Sequence, residues 1–181
     1  MKNKVGLIGL GYVGLTLSVF LSEKGVDVYG VDDNKFKVEE IKKGHSYFFE
    51  SGFDEKLRAN VNDKLNISSD LSFVSDCKYI FISIGTPFRK HINVSDPLIP
   101  LILELIQFAK QDCIFIIRST VKLGSTKKYQ KFVENNNRSH ITKSTISLLG
   151  TTTVLGHPNC SAWTSEVHMN FVGISWTWGS S

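Results

Sequence analysis

Three glycines spaced as Gly9-Leu10-Gly11-Tyr12-Val13-Gly14 close an apolar run at residues 5–10, and Asp32 closes the next apolar run at residues 26–32. That spacing suits a dinucleotide. Gly9 permits a tight turn, Gly11 offers bare backbone to a pyrophosphate, and Gly14 lets the following helix pack close to the first strand. The pyrophosphate then rests on free N–H groups at the positive end of the helix dipole. Asp32 would accept hydrogen bonds from ribose hydroxyls. Its charge opposes a 2′-phosphate, which favours NAD over NADP. The plain alternative is a strand–turn–helix crossover with an incidental surface Asp.

Two further tripeptides fall where apolar runs stop, Gly85-Thr86-Pro87 and Ser119-Thr120-Val121. Short hydroxyl side chains at strand ends can touch a cofactor without blocking it. They also serve as turn and cap residues. The three cysteines, Cys77, Cys113 and Cys160, form no C-x-x-C pair, which suits a reducing cytoplasm. Cys77 and Cys113 read as small buried hydrophobes. Nothing around Cys160 lowers a thiol pKa. His91 has no partner at metal-ligand spacing and reads as loop surface, so no metal is expected.

The elements that must position these residues alternate. Val13, Leu17, Phe20 and Leu21 recur at helical spacing, and Lys24-Gly25 ends that helix. A helix over 35–43, with Phe36, Val38 and Ile41 apolar, stops at Gly44. Residues 44–52 form a loop and 53–59 a short helix. Strands are expected at 65–68, 79–84 and 113–117, and Asp70 or Ser72 can cap a helical turn. Pro97 opens a helix whose apolar face is Ile99, Ile102, Leu103, Ile106 and Ala109, and a last helix covers 124–133. Strands alternating with helices give an α/β fold, a Rossmann-like doubly wound parallel sheet with right-handed crossovers. Ligands bind such sheets outside the carboxyl ends of the strands.

The 181 residues, 41% hydrophobic and 21% charged, suit one domain, or one domain plus a fragment. The net charge of +4 is mild and its basic residues are dispersed, so no nucleic-acid partner is expected. No run approaches the ~18 apolar residues of a membrane span. No basic, apolar leader precedes the glycines.

Taken together, these residues resemble the N-terminal domain of the UDP-glucose/GDP-mannose dehydrogenase family. The resemblance is carried by the glycine turn with its Tyr12-Val13 pair and by Asp32-Asp33-Asn34 with Lys37-Val38. It continues through Gly44, Glu50 and Gly52, Ile84-Gly85-Thr86-Pro87, and Arg118-Ser119-Thr120-Val121 with Gly124-Ser125-Thr126. It implies NAD as cofactor and a nucleotide sugar as substrate. In the family, C6 goes from alcohol to carboxylate in two hydride transfers through an enzyme-bound thioester. For a microbial member it implies surface-polysaccharide synthesis. Carried over by position, Gly9, Leu10, Gly11, Tyr12, Val13 and Gly14 form the pyrophosphate turn, and Asp32 and Lys37 hold the adenosine ribose. Gly85, Thr86 and Pro87 lie along the cofactor. Ser119 and Thr120 lie near the nicotinamide, and Thr120 helps order a water in the reaction centre. The loop 88–96 is similar to that of members acting on UDP-N-acetylhexosamines.

The resemblance covers residues 1–149 as an NAD-binding domain and fades in 150–181. Gly150-Thr151-Thr152 stands where the family has Pro-Glu-Arg, so its Glu is missing. Lys143 is the last basic residue, and Trp163, Trp176 and Trp178 all follow it. A frameshifted or shortened reading frame and a genuine variant both fit such an irregular tail. The family's catalytic Cys and Lys, its dimerisation helix and its UDP-binding domain have no counterpart in these residues. The expectation is an NAD-binding domain of a nucleotide-sugar 6-dehydrogenase that is incomplete for catalysis. The alternative is a non-catalytic NAD-binding module or a partner of a full-length paralogue.

Overall fold

The computed structural model describes residues 4–86, 96–110, 113–121, 124–136, 145–148, 170–171 and 174–175. Pro87, the loop around His91, and Cys160 with the three Trp lie outside the described residues. The chain runs β1 (Lys4–Ile8), α1 (Tyr12–Glu23), β2 (Asp27–Val31), α2 (Lys35–Lys42), α3 (Phe53–Asn60) and β3 (Leu65–Ser68). A 3-10 turn (Leu71–Val74), β4 (Tyr79–Ile82), α4 (Leu98–Phe108), β5 (Ile114–Ile117), α5 (Ser125–Asn136) and β6 (Thr145–Leu148) follow. All pairings in this six-stranded sheet are parallel, in the order β3-β2-β1-β4-β5-β6. The doubly wound α/β expectation holds.

Side-chain alternation splits the core between two faces. Val5 and Leu7 of β1 point to one face with Phe81 and Ile116; there they meet Leu15, Val19, Val38, Ile41, Phe53 and Leu57 from α1, α2 and α3. Ile8, Ile80, Ile82, Phe115 and Ile117 point to the other, against Val74, Leu98, Ile102, Leu105, Tyr129 and Val133. Strands covered on both sides must be apolar throughout, which is why β4 reads YIFI and β5 IFII.

Three helix faces differ from the sequence expectation. In α1 the buried residues are Gly14, Leu15, Ser18, Val19 and Ser22, while Val13 and Phe20 are exposed. Small residues face the sheet because the helix lies against it; Ser18 and Ser22 donate their hydroxyls to the Gly14 and Val19 carbonyls, so burying them leaves nothing unpaired. In α4, Leu98, Ile102 and Leu105 are buried with Ala109 just beyond, a face rotated from the expected one; Ile99 and Ile106 lie at its margin. An almost wholly apolar helix has no polar stripe to fix its rotation, so packing against β4 and β5 decides it. In α2 Phe36 is 76% exposed, and Val38 and Ile41 alone are buried.

β6 was not expected as a strand. Its Thr-Ile-Ser-Leu sequence is short, and its pairing with β5 establishes it. Beyond it, β7 (Asn170–Phe171) and β8 (Ile174–Ser175) form a separate antiparallel pair. Among the described residues no helix is long and apolar enough to cross a membrane.

Candidate functional site

Strand order reverses at β1: β2 and β3 lie to one side of it, β4 and β5 to the other. The crevice of such a sheet opens at that reversal. The glycine turn leaves β1 there. Gly9 adopts φ +86, and a Cβ on it would stand 2.7 Å from the Ser83 carbonyl oxygen at the end of β4. A Cβ on Gly14 would stand within 3.0 Å of the Leu7 side chain and collide with the Gly9 carbonyl. Both positions therefore require glycine, for the turn and for close helix packing.

Gly11 is different. It N-caps α1 in extended backbone, φ −65 and ψ 179, with no side-chain cap. The nearest atom to a Cβ built on it is the Tyr47 hydroxyl at 4.0 Å. The first turn of α1 carries no acidic side chain. Free N–H groups, the helix dipole and open space in front of bare backbone meet there, and this combination fits a pyrophosphate. Tyr12 and Val13, both exposed, flank the opening.

Asp32 lies just past β2 and is nearly buried. Its Oδ2 accepts the Leu10 N–H at 2.8 Å and the Lys37 ammonium at 2.8 Å; its Oδ1 accepts the Asn34 N–H at 3.1 Å. Asn34 in turn caps α2 by accepting the Lys37 N–H at 3.1 Å. The cap sets the start of α2, and that start puts Lys37 over Asp32. The expected pair is thus brought together, and the carboxylate binds the glycine turn as well.

The ends of β4 and β5 are tied to each other. Thr86 Oγ1 donates to the Thr120 carbonyl at 2.6 Å, and the buried Ser119 hydroxyl donates to the Ile84 carbonyl at 2.7 Å. Both hydroxyls donate to backbone carbonyls here. Gly85 and Thr120 are exposed on this rim. Pro87 lies outside the described residues.

Sequence reasoning placed the loop after α2 but missed what its side chains touch. Tyr47 donates its hydroxyl to the Leu10 carbonyl at 2.7 Å, and Tyr12 donates to Glu50 Oε2 at 3.2 Å. The Lys37 ammonium lies 5.1 Å from the Tyr47 ring centroid. Burial, and then the Asp32 charge, push the Tyr47 hydroxyl up to about 12, while the Glu50 carboxylate raises that of Tyr12. The only local signal was the aromatic triplet Tyr47-Phe48-Phe49 in an otherwise polar loop.

Cys77 and Cys113 are buried free thiols, and desolvation pushes both up to about 12. Among the described residues, no three His, Cys, Asp or Glu side chains are grouped to hold a metal.

Known proteins resemble this chain in sequence and fold. Residues 3–154 match the UDP-glucose/GDP-mannose dehydrogenase family, NAD binding domain. The chain is 31% identical over 136 residues to the uncharacterized protein MJ1054 of Methanocaldococcus jannaschii, covering 74% of this chain and 15% of that one. It is 34% identical over 125 residues to the UDP-glucose 6-dehydrogenase YwqF of Bacillus subtilis, covering 67% of this chain and 28% of that one. In fold it is similar to the UDP-D-ManNAc dehydrogenase of Pyrococcus horikoshii, with a TM-score of 0.72 at 22% identity over 81% of this chain and 35% of that one. The chain therefore spans about a third or less of the length of these relatives. The cofactor of the matched domain is NAD. The chain belongs to the UDP-glucose/GDP-mannose dehydrogenase family, whose NAD binding domain its residues 3–154 form.

Proposed function

We propose that this chain supplies the NAD half of an oxidation in which a nucleotide sugar is carried from C6 alcohol to carboxylate. The observation that carries the reading is the uncapped start of α1 opening on bare Gly11 with Asp32 beside it. In this reading the pyrophosphate lies on residues 9–14. Asp32 and Lys37 take the adenosine ribose, with Asp32 Oδ1 holding spare acceptor capacity beyond its single Asn34 bond. Bound NAD supplies the hydride acceptor. In this reading the rim of Gly85, Thr86, Ser119 and Thr120 borders the path toward the nicotinamide, and Thr120, which is exposed, would meet a water there. Pro87 belongs to the same strip by sequence.

A nucleotide sugar is the substrate class because relatives such as the B. subtilis protein are named UDP-glucose 6-dehydrogenases. Those names also favour this reading over a non-catalytic module. We place the chemistry in the cytoplasm, where NAD and nucleotide sugars are available and where the free thiols of Cys77 and Cys113 remain reduced. Calorimetric titration with NAD tests the reading. Saturable binding at a one-to-one ratio is expected, and the absence of any binding heat or thermal protection by NAD would sink it.

A further inference from the structure

We propose that Tyr47 is a positioning residue for the dinucleotide, delivered by the loop 44–52 to lock the Leu10 peptide group that shapes the pyrophosphate turn. The inference rests on the placement of NAD at residues 9–14. It adds the loop 44–52 to a pyrophosphate turn otherwise held by β1, α1 and the Asp32 carboxylate.

Leu10 lies between two glycines, one of them at φ +86, so the peptide planes before and after it both offer little resistance to a flip. It is held from both sides instead. Its N–H goes to Asp32 Oδ2 at 2.8 Å, and its carbonyl accepts from Tyr47 Oη at 2.7 Å. With both groups bound, the turn keeps one conformation, and a ligand resting on it need not supply that order.

The same hydroxyl borders the ligand space. It stands 4.0 Å from the point where a Gly11 Cβ would lie, on the side kept open for the pyrophosphate. The Tyr47 ring also lies 5.1 Å from the Lys37 ammonium, which is itself 2.8 Å from Asp32 Oδ2. One side chain thus braces the turn and the cation that sits on the ribose-facing acid.

The loop that carries Tyr47 is anchored. Phe48 packs on Phe53 of α3 at 5.0 Å between ring centroids and on Tyr12 at 4.7 Å between centroids, edge to face. Tyr12 donates to Glu50 at 3.2 Å. The Ser46 N–H donates to Asp54 Oδ1 at 3.0 Å, tying the loop's start to α3. The loop therefore touches the fingerprint at two points, Leu10 and Tyr12, from a base fixed in the core. With its pKa near 12, the Tyr47 hydroxyl stays a donor throughout the neutral range.

Tyr47→Phe removes the hydroxyl and keeps the ring. Affinities for NAD and for ADP-ribose are measured by calorimetry, alongside the melting temperature without ligand. Both ligands are expected to bind about 3- to 10-fold more weakly, by the same factor, because ADP-ribose contains every part of NAD that rests on the turn. The ligand-free melting temperature is expected to move by less than about 3 °C. Tyr47→Ala, which also removes the ring near Lys37, is expected to lose more. Unchanged NAD affinity in Tyr47→Phe overturns the proposal, as does a loss that appears only with a large fall in melting temperature. Should the Tyr47 variants fail to fold, Glu50→Gln weakens the second tether; reduced NAD affinity supports the proposal and unchanged affinity overturns it. Failure of the parent chain itself to bind NAD rejects the site, which separates that outcome from a failure of the Tyr47 role alone.

Discussion

The Asp32 carboxylate accepts the Leu10 N–H at 2.8 Å across 22 positions of sequence. The acid at the end of β2 therefore braces the turn at the end of β1. Its charge is shared between that N–H, the Asn34 N–H and the Lys37 ammonium. The acid proposed to face the ribose is thus also part of the turn's framework, and its removal has two separable consequences.

NAD is expected to bind at least about tenfold more tightly than NADP, because a 2′-phosphate would meet the Asp32 carboxylate with Asp33 adjacent. Lys37 softens that repulsion without removing it, since its ammonium is already paired with Asp32. In Asp32→Asn the preference should narrow and NAD affinity should fall. Parallel calorimetric titrations with the two cofactors check this, and equal or tighter binding of NADP by the parent would refute it.

The fingerprint glycines should separate into two classes. Gly11→Val introduces side-chain atoms into open space, so the chain should fold as the parent does and lose NAD binding. Gly14→Ala drives a Cβ into the Gly9 carbonyl and should destabilise the fold by about 3 kcal/mol. Denaturant melts and NAD titrations of both variants distinguish the effects. A Gly11→Val chain that binds NAD like the parent would move the site elsewhere.

Alkaline pH should weaken the fold. Burial holds Cys77 and Cys113 at about 12 against an ordinary 9.0, so the unfolded chain releases these protons first. The stability carried by keeping both thiols neutral is complete below pH 9 and is lost as pH rises from about 9 toward 12. Urea midpoints should fall across that window. Mass spectrometry after alkylation near pH 8 should find both thiols protected in the native chain and modified in urea. Equal rates in the two conditions would contradict their burial.

Purified residues 1–181 with NAD and a panel of UDP-hexoses and UDP-N-acetylhexosamines should give no steady NADH formation. Acyl chemistry on a thiol needs an exposed, activated thiolate, whereas the thiols among the described residues, Cys77 and Cys113, are buried and held protonated. The exposed Thr120 hydroxyl is no substitute for that nucleophile. Sustained turnover that vanishes in Thr120→Ala would show that the chain carries a complete reaction centre.

The local part of this protein was legible in its sequence. Gly9 and Gly14 could be read because a tight turn with positive φ and a close helix approach are each the demand of a single position. The double-faced strands β4 and β5 were legible for the same reason, since burial on both sides leaves only apolar residues. Tertiary packing decided the rest. Periodicity along α1 pointed to Val13 and Phe20, but the sheet took the small face of Gly14, Ser18 and Ser22, because close packing rewards lack of bulk as well as hydrophobicity. The Thr86 and Ser119 hydroxyls could face a ligand or the backbone, and only the adjacency of β4 and β5 turned them onto carbonyls. Tyr47 reaches Leu10 across 37 positions, a contact set by where α2 ends and where Phe48 anchors the loop on α3. Sequence spacing determines what each residue asks of its nearest neighbours; the folded chain determines which distant group answers.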